Sequence, residues 1–284
     1  MPHAWSRRNF LQRTTAAAGA VFLGRTLAAR AAQGKAAQNR FLIGLQSYTL
    51  RNFPVEKVLE LTEGLGLGSI EFFNAHFKFD SPPDVIAAIR KNAADRGIKI
   101  LGHGVDPYTK DHAANRRYFE FAKQAGIRNL SADPTEDSFD SLDKLVEEYQ
   151  IRIAIHNHGP GARYDKIADV LTAIKGHHPL IGACADLGHY IRSGEDPVRA
   201  IHLFKGRLYG VHLKDFAEQK AKTQGVILGK GHLDVDGVFE ALRKVDFPAD
   251  GCLSLEYEEK PNDPIDDVKQ CLAIAFESAR KASA

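Results

Sequence analysis

The chain predicts a single-domain α/β fold, a (β/α)8 TIM barrel, and three observations carry that expectation. From Phe41 onward, eight short apolar runs alternate with eight amphipathic segments. The first run leads into QSYTLRNFP, without the glycine-rich loop that a doubly wound sheet sets after its first strand. No linker or composition shift divides residues 41–284.

The apolar runs predict strands at 41–48 (FLIGLQSY), 69–73 (SIEFF), 98–103 (IKILGH) and 128–133 (RNLSAD). Four more follow at 152–158 (RIAIHNH), 180–186 (LIGACAD), 208–214 (LYGVHLK) and 251–257 (GCLSLEY). Between them, the segment 138–149 places Phe139, Leu142, Leu145, Val146 and Tyr149 at three-and-four spacing, the signature of a half-buried helix. Further helices are predicted near 55–65, 83–96, 112–125, 165–175, 196–204, 236–244 and 264–281. Gly97 and Gly126 stand just past two of them, where a left-handed cap is expected.

The formal charge of +2 is unevenly placed. Residues 1–31 hold Arg7, Arg8, Arg13, Arg25 and Arg30 and no acid. Setting these five aside leaves 33 bases against 36 acids, a net charge of −3. Such a remainder gives no electrostatic reason to expect nucleic acid or an anionic membrane. The arginine-rich segment reads as an address. Paired arginines in SRRNFLQ precede a short apolar stretch, TTAAAGAVFLG, and Ala29-Arg30-Ala31 supplies a small-x-small cleavage site. This is similar to a twin-arginine export signal, with Gln12 where lysine is usual. A membrane span needs about 20 apolar residues, and Arg25 interrupts the run. The expected organisation is therefore a signal peptide over 1–31, a linker over 32–40 and the barrel over 41–284, in an exported, periplasmic protein. Cys184, Cys252 and Cys271 are odd in number and scattered, so buried free thiols are expected rather than a disulfide framework.

In a (β/α)8 barrel the site is built where the strands end at their carboxyl termini. His156 ends strand five, Asp186 strand six, His212 strand seven and Glu256 strand eight, while Glu71 ends the second and His103 the third. A lone His or Glu there is more often a rim residue bonded to a loop. Converging on one axis, however, Asp186, His212 and Glu256 would be buried polar groups in need of a shared partner. A divalent cation held by His156, Asp186, His212 and Glu256 satisfies them together. Two imidazoles and two carboxylates suit Mn2+, Co2+, Zn2+ or iron better than calcium or magnesium.

At these residues the resemblance becomes specific. The motifs DLGH (Asp186–His189), VHLKD (Val211–Asp215), LGKGHLD (Leu228–Asp234) and LEYE (Leu255–Glu258) span four consecutive units. With them the chain from about 41 to 281 resembles the xylose isomerase-like barrel superfamily, in the branch of sugar phosphate isomerases and epimerases. That branch includes ketose 3-epimerases, hydroxypyruvate isomerases and inosose dehydratases. The resemblance implies metal ligation by Asp186, His212 and Glu256. It also marks a departure: the epimerases usually carry a strand-five glutamate, in a run like ENH, where this chain has IHNH. That glutamate and the strand-eight one form their acid/base pair. A metal-bound imidazole has spent its lone pair, so His156 does not stand in for the missing base.

The expected chemistry is proton abstraction next to a carbonyl, with a cation stabilising the developing enediolate and a positioned base taking the proton. Glu256 is a candidate ligand and base. His158, His189 and Lys214 are candidates for the second proton transfer, Lys214 having a rival role as ion-pair partner of Asp215 or Glu256. Glu71 is a further candidate for that transfer and for contact with the substrate. His103 either contacts a substrate hydroxyl or fills the site floor. Arg163 and Tyr164 either meet the ligand or decorate a loop surface. Gly229–Gly231 (GKG) is a weak phosphate signal and better explained as shaping the long loop 215–233, a candidate lid. An exported protein meets few sugar phosphates, so an unphosphorylated sugar, keto-sugar or cyclitol is the expected partner. The first expectation is thus a metal-dependent sugar isomerase or epimerase. The alternative is a lyase that dehydrates a keto-cyclitol or eliminates from a 3-keto-glycoside. A three-zinc DNA-repair endonuclease of the same barrel class needs a basic groove that the charge argues against. A non-catalytic carbohydrate-binding protein is the remaining reading. Neither the sugar nor the oligomeric state, a homo-oligomer included, is encoded legibly.

Overall fold

The structure, a computed structural model, describes residues 40–284. The export signal expected over 1–31 and, apart from Arg40, the linker expected over 32–40 lie outside the described residues. Eight parallel strands close on themselves: β1 (Ile43–Gln46), β2 (Ser69–Phe72), β3 (Lys99–Tyr108), β4 (Asn129–Pro134), β5 (Arg152–His156), β6 (Ile181–Asp186), β7 (Leu208–Leu213) and β8 (Cys252–Leu255). Each pairs with its sequence neighbours, and β1 completes the ring against β8, with Gly44 opposite Ser254. The outer helices are α1 (Val55–Gly64), α2 (Pro83–Asp95), α3 (His112–Ala125), α4 (Phe139–Tyr149), α5 (Ile167–Ile174), α6 (Leu187–Arg192), α7 (Pro197–Leu203), α8 (Val235–Lys244) and α9 (Ile265–Ser283). The predicted single-domain (β/α)8 barrel is what forms.

Local chemistry explains the boundaries. Asp111 caps α3 by accepting from the amides of Ala113 and Ala114, and Gly126 closes it in a left-handed conformation at φ +73°. In α8, Val235, Val238, Phe239, Ala241 and Leu242 are the buried face, and Asp234 caps its first turn through Gly237 N. Burying each large apolar side chain of this kind contributes about 1.5–3 kcal/mol. Such faces, pressed on the outward residues of the strands, make one continuous core that surrounds the barrel.

Three departures from the expected elements bear on the site. Strand β3 runs on to Tyr108, past His103. A short helix, α6, starts directly after β6, nucleated by Asp186, whose Oδ1 accepts from His189 N at 2.8 Å. The loop after β7 folds into a small antiparallel pair, Asp215–Phe216 with Gly225–Val226. Asp215 organises the rest of that loop: its Oδ2 accepts from Gly229 N and Gly231 N, and its Oδ1 from Leu233 N, all at 2.9 Å. The two glycine amides of GKG are therefore turned onto a carboxylate of the chain itself, while the Lys230 amide donates to the Ile227 carbonyl. Cys184, Cys252 and Cys271 are buried free thiols. Among the described residues no helix is long and apolar enough to cross a membrane.

Candidate metal centre

The carboxyl ends of β5 to β8 bring four donors together. His156 closes β5, Asp186 closes β6 opposite His212 of β7, and Glu256 follows β8 directly. One donor atom from each lies within 4.8 Å of all the others, and all four side chains are buried. His156 Nε2 stands 3.0 Å from His212 Nδ1 and 3.5 Å from Asp186 Oδ2. His212 Nδ1 is 3.3 Å from Glu256 Oε2 and 3.7 Å from Asp186 Oδ2. Asn157, pointing away from this cluster, grips Asp186 at both backbone atoms, donating to its carbonyl at 3.0 Å and accepting from its amide at 2.8 Å. Alternation along the chain sets Asn157 on the opposite face from His156 and His158, and from there it holds the backbone of β6.

Lys214 is the charge that holds this cluster together. Its ammonium is 2.6 Å from Glu256 Oε2, 3.0 Å from Asp186 Oδ2 and 2.7 Å from Glu258 Oε1. Asp186 Oδ2 nevertheless accepts no directed hydrogen bond. Burial alone would push both carboxyl pKa values up; the Lys214 ammonium outweighs it and holds Asp186 and Glu256 below the ordinary carboxylate range. Burial opposes the charge on His212 too, yet Cys184, Glu71 and Glu256 around it raise its pKa. A nitrogen-and-oxygen donor set gathered within 4.8 Å, with Asp186 Oδ2 met by the Lys214 charge but by no directed hydrogen bond, fits a divalent cation of the Mn2+, Co2+ or Zn2+ type. His156, Asp186, His212 and Glu256 would hold it.

Two further imidazoles flank the cluster. His158 lies past the end of β5 with its ring 4.6 Å from that of His156, and His189, on α6, is 5.7 Å from His158. Burial lowers the pKa of both, that of His189 to about 4, so both rings are neutral at neutral pH. Burial likewise takes His156 to about 4, the neutral form a ligand requires. All three rings line a cavity of about 340 Å³ that opens over the cluster. Tyr48, Phe73 and Asn74, from the segments after β1 and β2, also line it, as do Glu256, Glu258 and Lys214. Glu258 was missed, though it repeats the alternation of Glu256 two residues on.

The sequence profile of the xylose isomerase-like TIM barrel family matches residues 59–274. The chain belongs to that family. Members of this xylose isomerase-like family include epimerases, isomerases, dehydratases and decarboxylases. Among curated proteins the chain is similar to a 3-oxo-isoapionate decarboxylase of Pectobacterium atrosepticum, 27% identical over 66% of this chain and 72% of the relative. It is also similar to an inosose dehydratase of Clostridium beijerinckii, 26% identical over 51% of this chain and 50% of the relative. The chain thus matches about half the length of that dehydratase. Of solved structures, an L-ribulose 3-epimerase shares the fold at a TM-score of 0.66 and 18% identity, covering 84% of this chain and 95% of that one.

Within this xylose isomerase-like barrel, four expected substrate contacts fall elsewhere than the cavity. His103 faces outward, its ring edge-on to Phe121 at 5.0 Å, with Nδ1 2.6 Å from Asp106 Oδ2 and Nε2 2.7 Å from the Phe77 carbonyl. Its neighbour Gly102 is the one facing the barrel interior, because a Cβ there would meet Cys252 Sγ at 2.5 Å. Glu71 does point inward but lies fully buried beneath the cluster, within hydrogen-bond reach of His212. Arg163 pairs with Asp133 at 2.8 Å and also donates to the Pro134 carbonyl. Tyr164 is buried with its hydroxyl on that same carbonyl at 2.7 Å. Both residues brace the end of β4 instead of reaching the cavity. Lys214 engages Glu256, as one of its two alternatives had it, while Asp215 is occupied by its own loop.

Proposed function

We propose that this protein is a divalent-metal-dependent lyase that acts on an unphosphorylated keto-sugar or keto-cyclitol, removing a group β to the carbonyl. The observation that carries this reading is the pairing of one buried ammonium, Lys214, with neutral imidazoles on the same cavity. Bound among His156, Asp186, His212 and Glu256, a cation supplies Lewis-acid polarisation of the carbonyl next to the reacting C–H bond. The chain's own groups do the proton work. His158, neutral and facing the cavity, takes the α-proton. The electron pair of the broken C–H bond forms the new C=C bond as the C–O bond at the β-carbon breaks and its pair leaves with the oxygen. The raised pKa of Lys214, set by Asp186, Glu256 and Glu258 against the cost of burial, keeps it protonated, and the departing oxygen, as basic as an alkoxide once the C–O bond breaks, can take that proton. Glu256, held below the ordinary carboxylate range by Lys214 despite its burial, is better suited to ligation than to proton abstraction. The similarity to a dehydratase and a decarboxylase is in keeping with this division of labour.

The cavity wall offers no arginine for a phosphate, and the first turn of α6 is already capped by the Asp186 carboxylate, which supports an unphosphorylated substrate. Export along the twin-arginine route, proposed from residues 1–31, supports the same choice, and fractionation of cells expressing the full chain tests it. A sugar isomerase or epimerase is the second reading, favoured by one observation: His158 and Glu256 approach the cavity from different strand ends and can serve as two proton-transfer groups. Proton NMR in deuterated water, with a panel of ketoses, inososes and 3-keto-glycosides, separates the two. An unsaturated product supports the lyase, deuterium at carbon without elimination supports the epimerase, and an unchanged panel overturns both.

A further inference from the structure

We propose that Glu71 is a positioning residue for His212, fixing which imidazole nitrogen faces the cation site and strengthening it as a ligand; this rests on the metal reading of the cluster. The barrel interior beneath a site of this kind is ordinarily filled by branched apolar side chains. Here a carboxylate with no solvent exposure occupies it, a placement that costs stability unless every oxygen is satisfied. Glu71 Oε1 accepts from Ser131 Oγ at 2.5 Å. Its Oε2 accepts from Ser254 Oγ at 2.9 Å and from His212 Nε2 at 3.0 Å.

These four residues belong to β2, β4, β7 and β8, so the carboxylate is anchored across the interior of the barrel. Gly102 makes the room: a Cβ there would press on Glu71 Cγ at 3.2 Å. Both Glu71 oxygens are engaged by these donors. The nearness of Glu71, Cys184 and His212 is therefore explained without a second cation.

The consequence is directional. With a proton on Nε2 held by Glu71, Nδ1 is the His212 nitrogen left to face the cluster and ligate, where Glu256, His156 and Asp186 converge. A carboxylate on the far nitrogen of a ligating imidazole orients the ring and raises its basicity. His156 is the contrast, for its Nδ1 is buried without a partner. No acceptor holds a proton on that far nitrogen. The two imidazoles are thus inequivalent ligands.

The test is Co2+ binding by the full-length, chelator-stripped protein, read by competition with a chromophoric chelator and by the visible Co2+ spectrum. Glu71→Gln, which removes the charge, is expected to weaken binding about 10–100-fold and to shift the Co2+ bands. Glu71→Met, which also removes the acceptor, is expected to weaken it further. A merely structural role would lower the melting temperature and leave the spectrum of the loaded protein unchanged. Both variants binding Co2+ as the wild type does, with the same bands, overturn the proposal. Should neither variant fold, Ser254→Ala frees Oε2 from a competing donor and is expected to tighten binding; unchanged binding there overturns the proposal equally. Failure of the wild type to take up Co2+ overturns the metal reading itself and this inference with it, a result distinct from wild-type binding that the variants do not alter.

Discussion

The Lys214 ammonium lies 2.6 Å from Glu256 Oε2 and forms, with Asp186 at 3.0 Å, a buried triad of one cation and two anions. In the metal-free chain the lysine supplies the positive charge that these carboxylates need. Removing one partner from a buried ion pair typically costs about 3–5 kcal/mol, because the remaining charges stay desolvated. Lys214→Met should therefore destabilise the metal-free protein by about that amount. A bound divalent cation compensates the same carboxylates, so metal should restore most of the loss. Elimination activity should fall about 10²–10⁴-fold, the contribution of a positioned acid. Denaturant melts with and without Mn2+, alongside kcat, check this; equal losses of stability in both states count against the shared role of lysine and cation.

Elemental content offers the most direct test of the four-donor cluster. The purified wild type is expected to carry one divalent ion per chain, removable by chelator with loss of activity and restored by Mn2+, Co2+ or Zn2+. Asp186→Asn and Glu256→Gln each remove an anionic donor, and both should retain the fold while losing the ion. Full metal content in the two variants would place the ion elsewhere.

The barrel was legible because burial imposes a period of two on strands and of about 3.6 on helices, and both survive in the amino-acid order. Strand ends then pointed to the four donors that the structure brings together. What stayed hidden depended on parity and depth. His103 and Gly102 exchange faces in β3, where the register shifts against β2 next to Glu71. Glu71 faces inward but sits one layer too low for a ligand to reach. Helix α6 is too short to show a helical period, and its start is set by Asp186 acting as a cap. The loop residues Arg163 and Tyr164 carry no periodicity at all, and only their bonds to Asp133 and Pro134 reveal what they do.

The outward-facing His103 makes stability depend on pH. Its two nitrogens both face acceptors, Asp106 Oδ2 and the Phe77 carbonyl, and only an imidazolium donates to both. Burial opposes that charge, but Asp106 and the Phe77 carbonyl overcome it and the pKa of His103 is raised. A folded-state pKa above the unfolded value contributes stability that is complete below about pH 6.5 and disappears as pH rises through the folded value. The stability advantage of the wild type over His103→Gln should therefore be larger near pH 6 than near pH 9. Urea melts at both ends of the range check it, and an advantage independent of pH would mean that the ring is neutral throughout.

Gly188, at the start of α6, tests the placement of Lys214 without touching its chemistry. A Cβ at this position would fall 2.6 Å from Lys214 Cγ, 2.9 Å from Lys214 Cδ and 2.9 Å from Phe216 Cε2. Gly188→Ala must therefore push aside the lysine stem, the Phe216 ring or both, at an overpacking cost of about 1–3 kcal/mol. The stem is the freer of the two, because the Phe216 ring is pinned between His189 and the Arg192 guanidinium. Movement of the stem carries the ammonium away from Glu256 and Asp186, and a displacement of about 1 Å at a reacting group can cost on the order of 10²-fold in rate. None of the three atoms nearest the new methyl belongs to His156, Asp186, His212 or Glu256, so metal content should stay at the wild-type level. The expected signature is a folded, metal-replete protein whose kcat has dropped at least about tenfold. Wild-type kcat in Gly188→Ala would mean that the position of the ammonium is immaterial, and Lys214 would then be a counter-charge and not the proton donor.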